Sequence, residues 1–166
     1  MSSYKRVPTE FTVEEALDTL EIEDLRDEMQ EWVDNMSGTA LENTSRYERA
    51  EEAASQLDAV DSINFEDIWD AIPEDCFVSS EELKAIKFTS NLYIPKSRKQ
   101  HPSRAYRLSN AITHITDALQ EMRDHIENRL DGKEVPEDIK EILAVIEEAE
   151  SAVQDLDSVD FPGMFG

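Results

Sequence analysis

Apolar residues return at intervals of three and four along most of this chain. From Val13, the positions Ala16, Leu17, Leu20, Leu25, Met29, Trp32, Val33 and Met36 follow the recurrence of one helix face. Thr12 and Glu15 precede that face with the spacing of a capping box, in which hydroxyl and carboxylate each satisfy a backbone N–H left free at a helix start. Gly38 stands where a helix end favours positive φ. The pattern predicts a helix over 13–36, with an interruption near Leu20–Glu23 left open, after an extended lead-in of eleven residues containing Pro8. A second helix is expected over about 41–60, where Tyr47, Ala50, Ala54, Leu57 and Val60 share a face and small side chains allow close helix approach. Residues 61–78 are less regular. Asn64 there suits the cap of a short helix, 65–72, stopped by Pro73. Ser79 with Glu82 repeats the capping-box spacing and predicts a helix over 80–91.

The most regular pattern lies in the last third. Leu108, Ile112, Ile115, Leu119, Met122, Ile126 and Leu130 make a near-heptad seam on a helix expected at 104–131, which Gly132 closes. Pro136 suits the first turn of the next helix, where Ile139, Ile142, Ile146, Ala149, Val153 and Leu156 continue the period. So short a link between two long helices makes them antiparallel, a coiled-coil-like hairpin over 104–156 with Val135 near its tip. No segment reads as alternating with period two. The fold expected is therefore all-α: acidic helices within 1–92 packed with the 104–156 hairpin as one domain, a basic Pro-containing loop at 93–103, and a C-terminal tail at 157–166.

Charge changes this picture more than composition does. The 166 residues hold 39 acids against 16 Lys+Arg, a formal charge of −23, with 39% hydrophobic residues to supply a core. Residues 1–80 hold 22 acids and 5 bases, whereas the 34 residues between Glu82 and Asp117 hold no acid at all. Lys96, Arg98, Lys99, Arg104 and Arg107 fall in that gap, interleaved with Tyr93, His101 and Tyr106. A negative body with one positive island repels duplex DNA beyond contact range and attracts basic proteins. The island itself admits three uses: pairing with acids of its own chain or of a second copy, contact with a partner protein, or a nucleic-acid arm. No apolar run approaches the ~20 residues that a membrane helix needs, and the start of the chain lacks the apolar stretch of a signal peptide.

Motifs for chemistry are scarce. Glu28/Glu31, Glu48/Glu51, Glu121/Asp124 and Glu147/Glu150 have the i, i+3 spacing with which helical pyrophosphatases hold Mg²⁺, but so acidic a chain contains about nine such pairs by chance. Solvated helix faces are the simpler reading. His114, Asp117, Glu121 and His125 form one possible stripe, read as polar flanks of the seam ahead of a metal site. Glu-x-x-His, Gly-x-Ser-x-Gly and phosphate-binding glycine loops are absent, Asp155-x-Asp157 lacks the glycine of a calcium loop, and Cys76 stands alone as a buried or incidental thiol. No metal ligand set and no cofactor are expected. The acidic end with Phe161, Met164 and Phe165 is similar to the partner-recruiting tails of single-stranded-DNA-binding proteins, though it does not end in their Pro-Phe; folding back over the hairpin is its preferred use.

Two phrases, Leu25-Arg-Asp-Glu-Met-Gln-Glu-Trp-Val-Asp-Asn-Met36 and Gly38-Thr-Ala-Leu-Glu-Asn-Thr-Ser-Arg-Tyr47, resemble segments of small acidic helical proteins of tailed bacteriophages. That resemblance implies a viral origin and a place in the host cytoplasm. The leading expectation is a non-enzymatic phage accessory protein that binds a basic, nucleic-acid-handling protein, its carboxylates imitating the phosphates of DNA. The faces expected to do so carry Glu21, Glu23, Asp24, Asp27, Glu28, Glu31 and Asp34, and also Glu48, Glu51 and Glu52. The alternatives are an assembly protein of the virion, oligomerising through the hairpin, and a metal-dependent nucleotide hydrolase.

Overall fold

The first element among the described residues is a strand. In the computed structural model, which describes residues 3–162, β1 (Tyr4–Thr12) runs into a single helical turn, α1 (Val13–Ala16), and then α2 (Leu20–Met36). The Thr12–Glu15 capping box forms in both directions, so the strand ends where α1 begins. The break lies at Leu17–Thr19, just ahead of the expected position, and the Asp18 carboxylate accepts the Leu20 N–H at 2.9 Å to restart the helix. α2 ends before Gly38, whose φ of +77° reverses the chain. α3 (Ser45–Leu57) is shorter than expected and continues as a 3₁₀ turn, Asp58–Ser62; α4 (Glu66–Asp70) and α5 (Ser80–Lys84) are brief.

The all-α expectation fails at β2 (Lys87–Pro95), which pairs antiparallel with β1 from Thr12 opposite Lys87 to Tyr4 opposite Pro95. The supposed lead-in is a strand, the helix expected over 80–91 ends at Lys84, and 93–95 belong to the sheet rather than to a loop. Alternation exists after all: Phe88 and Ser90 are buried while Lys87, Thr89 and Asn91 are exposed. A polar Ser90 at an inward position masks the period. Both prolines are compatible with pairing. They fall in the same alternate set of the register as Tyr93, whose N–H and C=O turn away from the ladder to the Asn110 side chain, each at 2.8 Å. Neither proline therefore removes a ladder hydrogen bond.

The sheet lies on α6 (Arg104–Leu130), the longest helix. Every position of the expected seam, Leu108 through Leu130, is buried there, together with Ala111 and Ala118. α6 closes on Asp131 and Gly132, both with positive φ, and α7 (Glu137–Asp155) returns with Ile139, Ile142, Ile146 and Val153 buried. Pro136 occupies the N-cap position, one residue ahead of the first turn. These side chains join Ile22, Leu25 and Met29 of α2, Ala53, Ala54 and Leu57 of α3, and Phe88 of β2 in one core. Val159 and Phe161 pack on its margin; Met164 and Phe165 lie outside the described residues. No helix of the described residues is long and apolar enough to cross a membrane.

Asn110 is one of the side chains that tie the sheet to the helical body. Asn110→Ala should cost about 1–3 kcal/mol in urea unfolding, because it strands the N–H and C=O of Tyr93. Faster amide exchange is expected along Tyr93 and its β1 neighbours, with α7 unaffected.

Candidate functional site

The carboxylates of α2 separate into two sets according to what their side of the helix meets. Glu21 and Glu28 stand seven residues apart, two turns along one side. That side meets the first turn of α6, whose Ser103 cap starts the helix by accepting the Tyr106 N–H at 3.3 Å. Arg107 bridges both acids, at 2.5 Å from Glu21 and 2.7 Å from Glu28. Arg104 reaches Glu28 at 3.2 Å, and its guanidinium lies 4.9 Å from the centre of the Trp32 ring. Hydrogen bonding to Glu28 and Glu21 outweighs partial burial and holds the Arg107 guanidinium above its ordinary pKa. Two residues of the expected partner face and two of the basic island are thus bound to each other.

The remaining acids of α2 meet solvent. Asp24, Glu31 and Asp34 are exposed and enter no ion pair among the described residues. They lie round the helix from the Glu21–Glu28 side by about 50° for Asp24, about 70° for Glu31 and about 130° for Asp34. Glu23 is half-buried, and Asp27 is exposed with Arg26 at 3.4 Å. Arg26, the one cation of α2, bends away to Asp61 at 2.5 Å. On α3, Glu48, Glu51 and Glu52 are exposed; Glu51 accepts a hydrogen bond from the Tyr47 hydroxyl and Glu52 one from Gln56. Arg46 and Arg49 on the same helix dilute that face, so the α2 stripe is the purer anionic surface.

The rest of the island behaves differently from Arg104 and Arg107. Lys96, Arg98 and Lys99 are exposed and enter no ion pair among the described residues. Strand pairing adds two cations that the chain order hides: Lys5 and Arg6 lie opposite Ile94 and Tyr93. The Arg6 guanidinium sits 5.6 Å from the centre of the Tyr93 ring. Residues 96–103 are pinned to the start of β1, with the Lys96 N–H donating to Ser3 at 2.8 Å and the Ser103 N–H to the Tyr4 hydroxyl at 2.8 Å. The only sequence signal for this grouping was that residues 1–9 lack acids, as the island does.

The stripe His114, Asp117, Glu121, His125 does not converge. His114 lies under Phe11 with Nδ1 at 2.9 Å from the Ala16 carbonyl oxygen, and burial pushes its pKa down. Asp117 accepts from the buried Ser90 hydroxyl at 2.7 Å. His125 meets Glu82 at 2.5 Å, and Arg129 also pairs with Glu82 while donating to the Phe77 carbonyl. These partners hold Glu82 below the usual carboxylate range, the His125 hydrogen bond contributing most. They also draw its carboxylate away from Ser79, whose expected capping box forms only in one direction. Among the described residues, no group of three such side chains is placed to hold a metal ion.

The two classes of cation predict opposite responses to charge reversal. Arg107→Glu should lower stability by about 1–3 kcal/mol, since it removes two partly shielded pairs and adds repulsion between α6 and α2. Arg98→Glu combined with Lys99→Glu should leave the melting temperature within about 2 °C of the wild type. Thermal unfolding followed by circular dichroism reads both.

Comparison of the chain with protein-family models, with curated proteins and with solved structures returned no match.

Proposed function

We propose that this protein is a non-enzymatic binding module, an accessory protein of a tailed phage acting in the host cytoplasm. It occupies the basic, nucleic-acid-binding surface of a host or phage protein. The observation that supports this most directly is the stripe Asp24, Glu31 and Asp34, exposed along α2 and entering no ion pair among the described residues. A rigid helix holds these carboxylates at fixed separations, so a partner that recognises a run of phosphates meets a comparable run of charge without ordering a flexible chain. Glu48, Glu51 and Glu52 on the adjacent α3 extend the surface.

Such a complex obeys the electrostatics of DNA binding from the other side. Cations of the partner exchange counterions for carboxylates, so affinity falls steeply with salt. Immobilised protein should retain basic nucleic-acid-handling proteins from host lysate at about 50 mM salt and release them by about 0.5 M. Added DNA should compete. The triple variant Asp24→Asn, Glu31→Gln, Asp34→Asn should lose most of that capture while melting as the wild type does. Capture that survives this variant, or that DNA does not displace, would remove the α2 stripe from the mechanism.

A further inference from the structure

The charges of the positive pole at the open end of the sheet enter no ion pair among the described residues and take no part in the partner face described above. It is built from two segments far apart in sequence, Lys5 and Arg6 on β1 and Lys96, Arg98 and Lys99 beyond β2, joined by the strand register and by the Lys96–Ser3 hydrogen bond. All five side chains are exposed, and no acid occurs in residues 1–9 or 83–116, the segments that form it. Where the same basic island meets α2, at Arg104 and Arg107, it takes up carboxylates directly. The cations of the pole meet none within their own chain among the described residues.

An anionic occupant follows, and the surroundings decide its kind. Single-stranded nucleic acid needs exposed rings on which bases can stack. Here Tyr93 is engaged by Arg6 and by Tyr106, Tyr4 is buried against Tyr106 with ring centres 3.8 Å apart, and of the island's rings Tyr93, His101 and Tyr106 only His101 is exposed. A duplex would lie against a body whose formal charge is −23. A rigid, exposed run of carboxylates that enter no ion pair among the described residues suits these cations better, and the chain itself carries one. We infer that the pole formed by Lys5, Arg6, Lys96, Arg98 and Lys99 docks on the α2 stripe Asp24, Glu31 and Asp34 of a second copy. This rests on the same unpaired stripe as the proposed partner contact, so self-association and partner binding exclude each other at that face. A reciprocal arrangement closes a dimer; a one-way arrangement builds longer ladders.

Two opposing electrostatic effects give the association a distinctive salt dependence. At very low salt the like net charges of two copies repel over tens of ångströms; near 0.1 M the screening length of about 10 Å suppresses that repulsion but spares charges in contact; high salt removes both. Sedimentation velocity should therefore show most association near 0.1 M salt, and less at about 0.01 M and 1 M. The pole variant Lys96→Gln, Arg98→Gln, Lys99→Gln should weaken association about tenfold or more. So should the stripe variant Asp24→Asn, Glu31→Gln, Asp34→Asn. Mixed in equal amounts, the two variants retain one intact pole and one intact stripe, and should form a 1:1 dimer that does not grow further. Wild-type protein that stays monomeric to about 1 mM across these salts overturns the inference, a bound near −4 kcal/mol of affinity. An oligomer untouched by the pole variant overturns it too, as does pole-dependent binding of a single-stranded oligonucleotide by a monomer. The pole variant leaves the α2 stripe intact, so its capture of basic proteins from lysate reports on the partner contact separately.

Discussion

Helix α6 buries apolar side chains from Leu108 to Leu130, and β2, α1, α2 and α7 each pack on a part of its circumference. The other elements depend on that burial. α4 and α5 are five residues each, too short to hold a helical conformation without tertiary packing. A two-stranded sheet is marginal alone and persists here because Phe88, Ser90 and Asn110 hold it against the helix. Burial of nine side chains along one helix provides a stable frame in a protein whose surface repels itself.

Within that frame the cations are sorted. Where an arginine lies between packed elements it is paired: Arg104 and Arg107 join α6 to α2, Arg123 joins α6 to Glu150 of α7, and Arg129 ties Glu82 and the Phe77 carbonyl to α6. Guanidinium suits this work because it offers several donors in a fixed plane to more than one acceptor. Lysines and the outer arginines are left at the margins, most densely at the sheet end. The consequence is a molecule with two unlike poles, one supplied by acids of α2 and one by cations of the sheet end, neither of which enters an ion pair among the described residues. That division, rather than the net charge alone, gives the surface its directionality.

The two long helices α6 and α7 were legible from spacing because their apolar periods are strict. The sheet was not, for physical reasons. Thr12 and Lys87 pair across 75 residues, so no turn residues mark the connection, and Thr9 and Ser90 hold mid-strand positions where an apolar residue would have revealed the alternation. Capping boxes were readable as helix starts, but not the fate of the Glu82 side chain, which depends on where His125 and Arg129 arrive. In the candidate site, the ten acids on α2 and α3 were equivalent by sequence. Docking of α2 against α6 distinguishes Glu21 and Glu28 from Asp24, Glu31 and Asp34, and no local pattern encodes that docking.

The division into bound and unbound charge is tested most directly by zero-length carbodiimide cross-linking of a mixture of ¹⁴N- and ¹⁵N-labelled protein near 0.1 M salt. Lys96 and Lys99 are two of the pole's three lysines, and a carbodiimide joins amines only to carboxylates in contact. Mixed-isotope peptides that join Lys96 or Lys99 of one copy to Asp24, Glu31 or Asp34 of another are expected. Cross-links from these lysines only to carboxylates of their own copy would contradict that division.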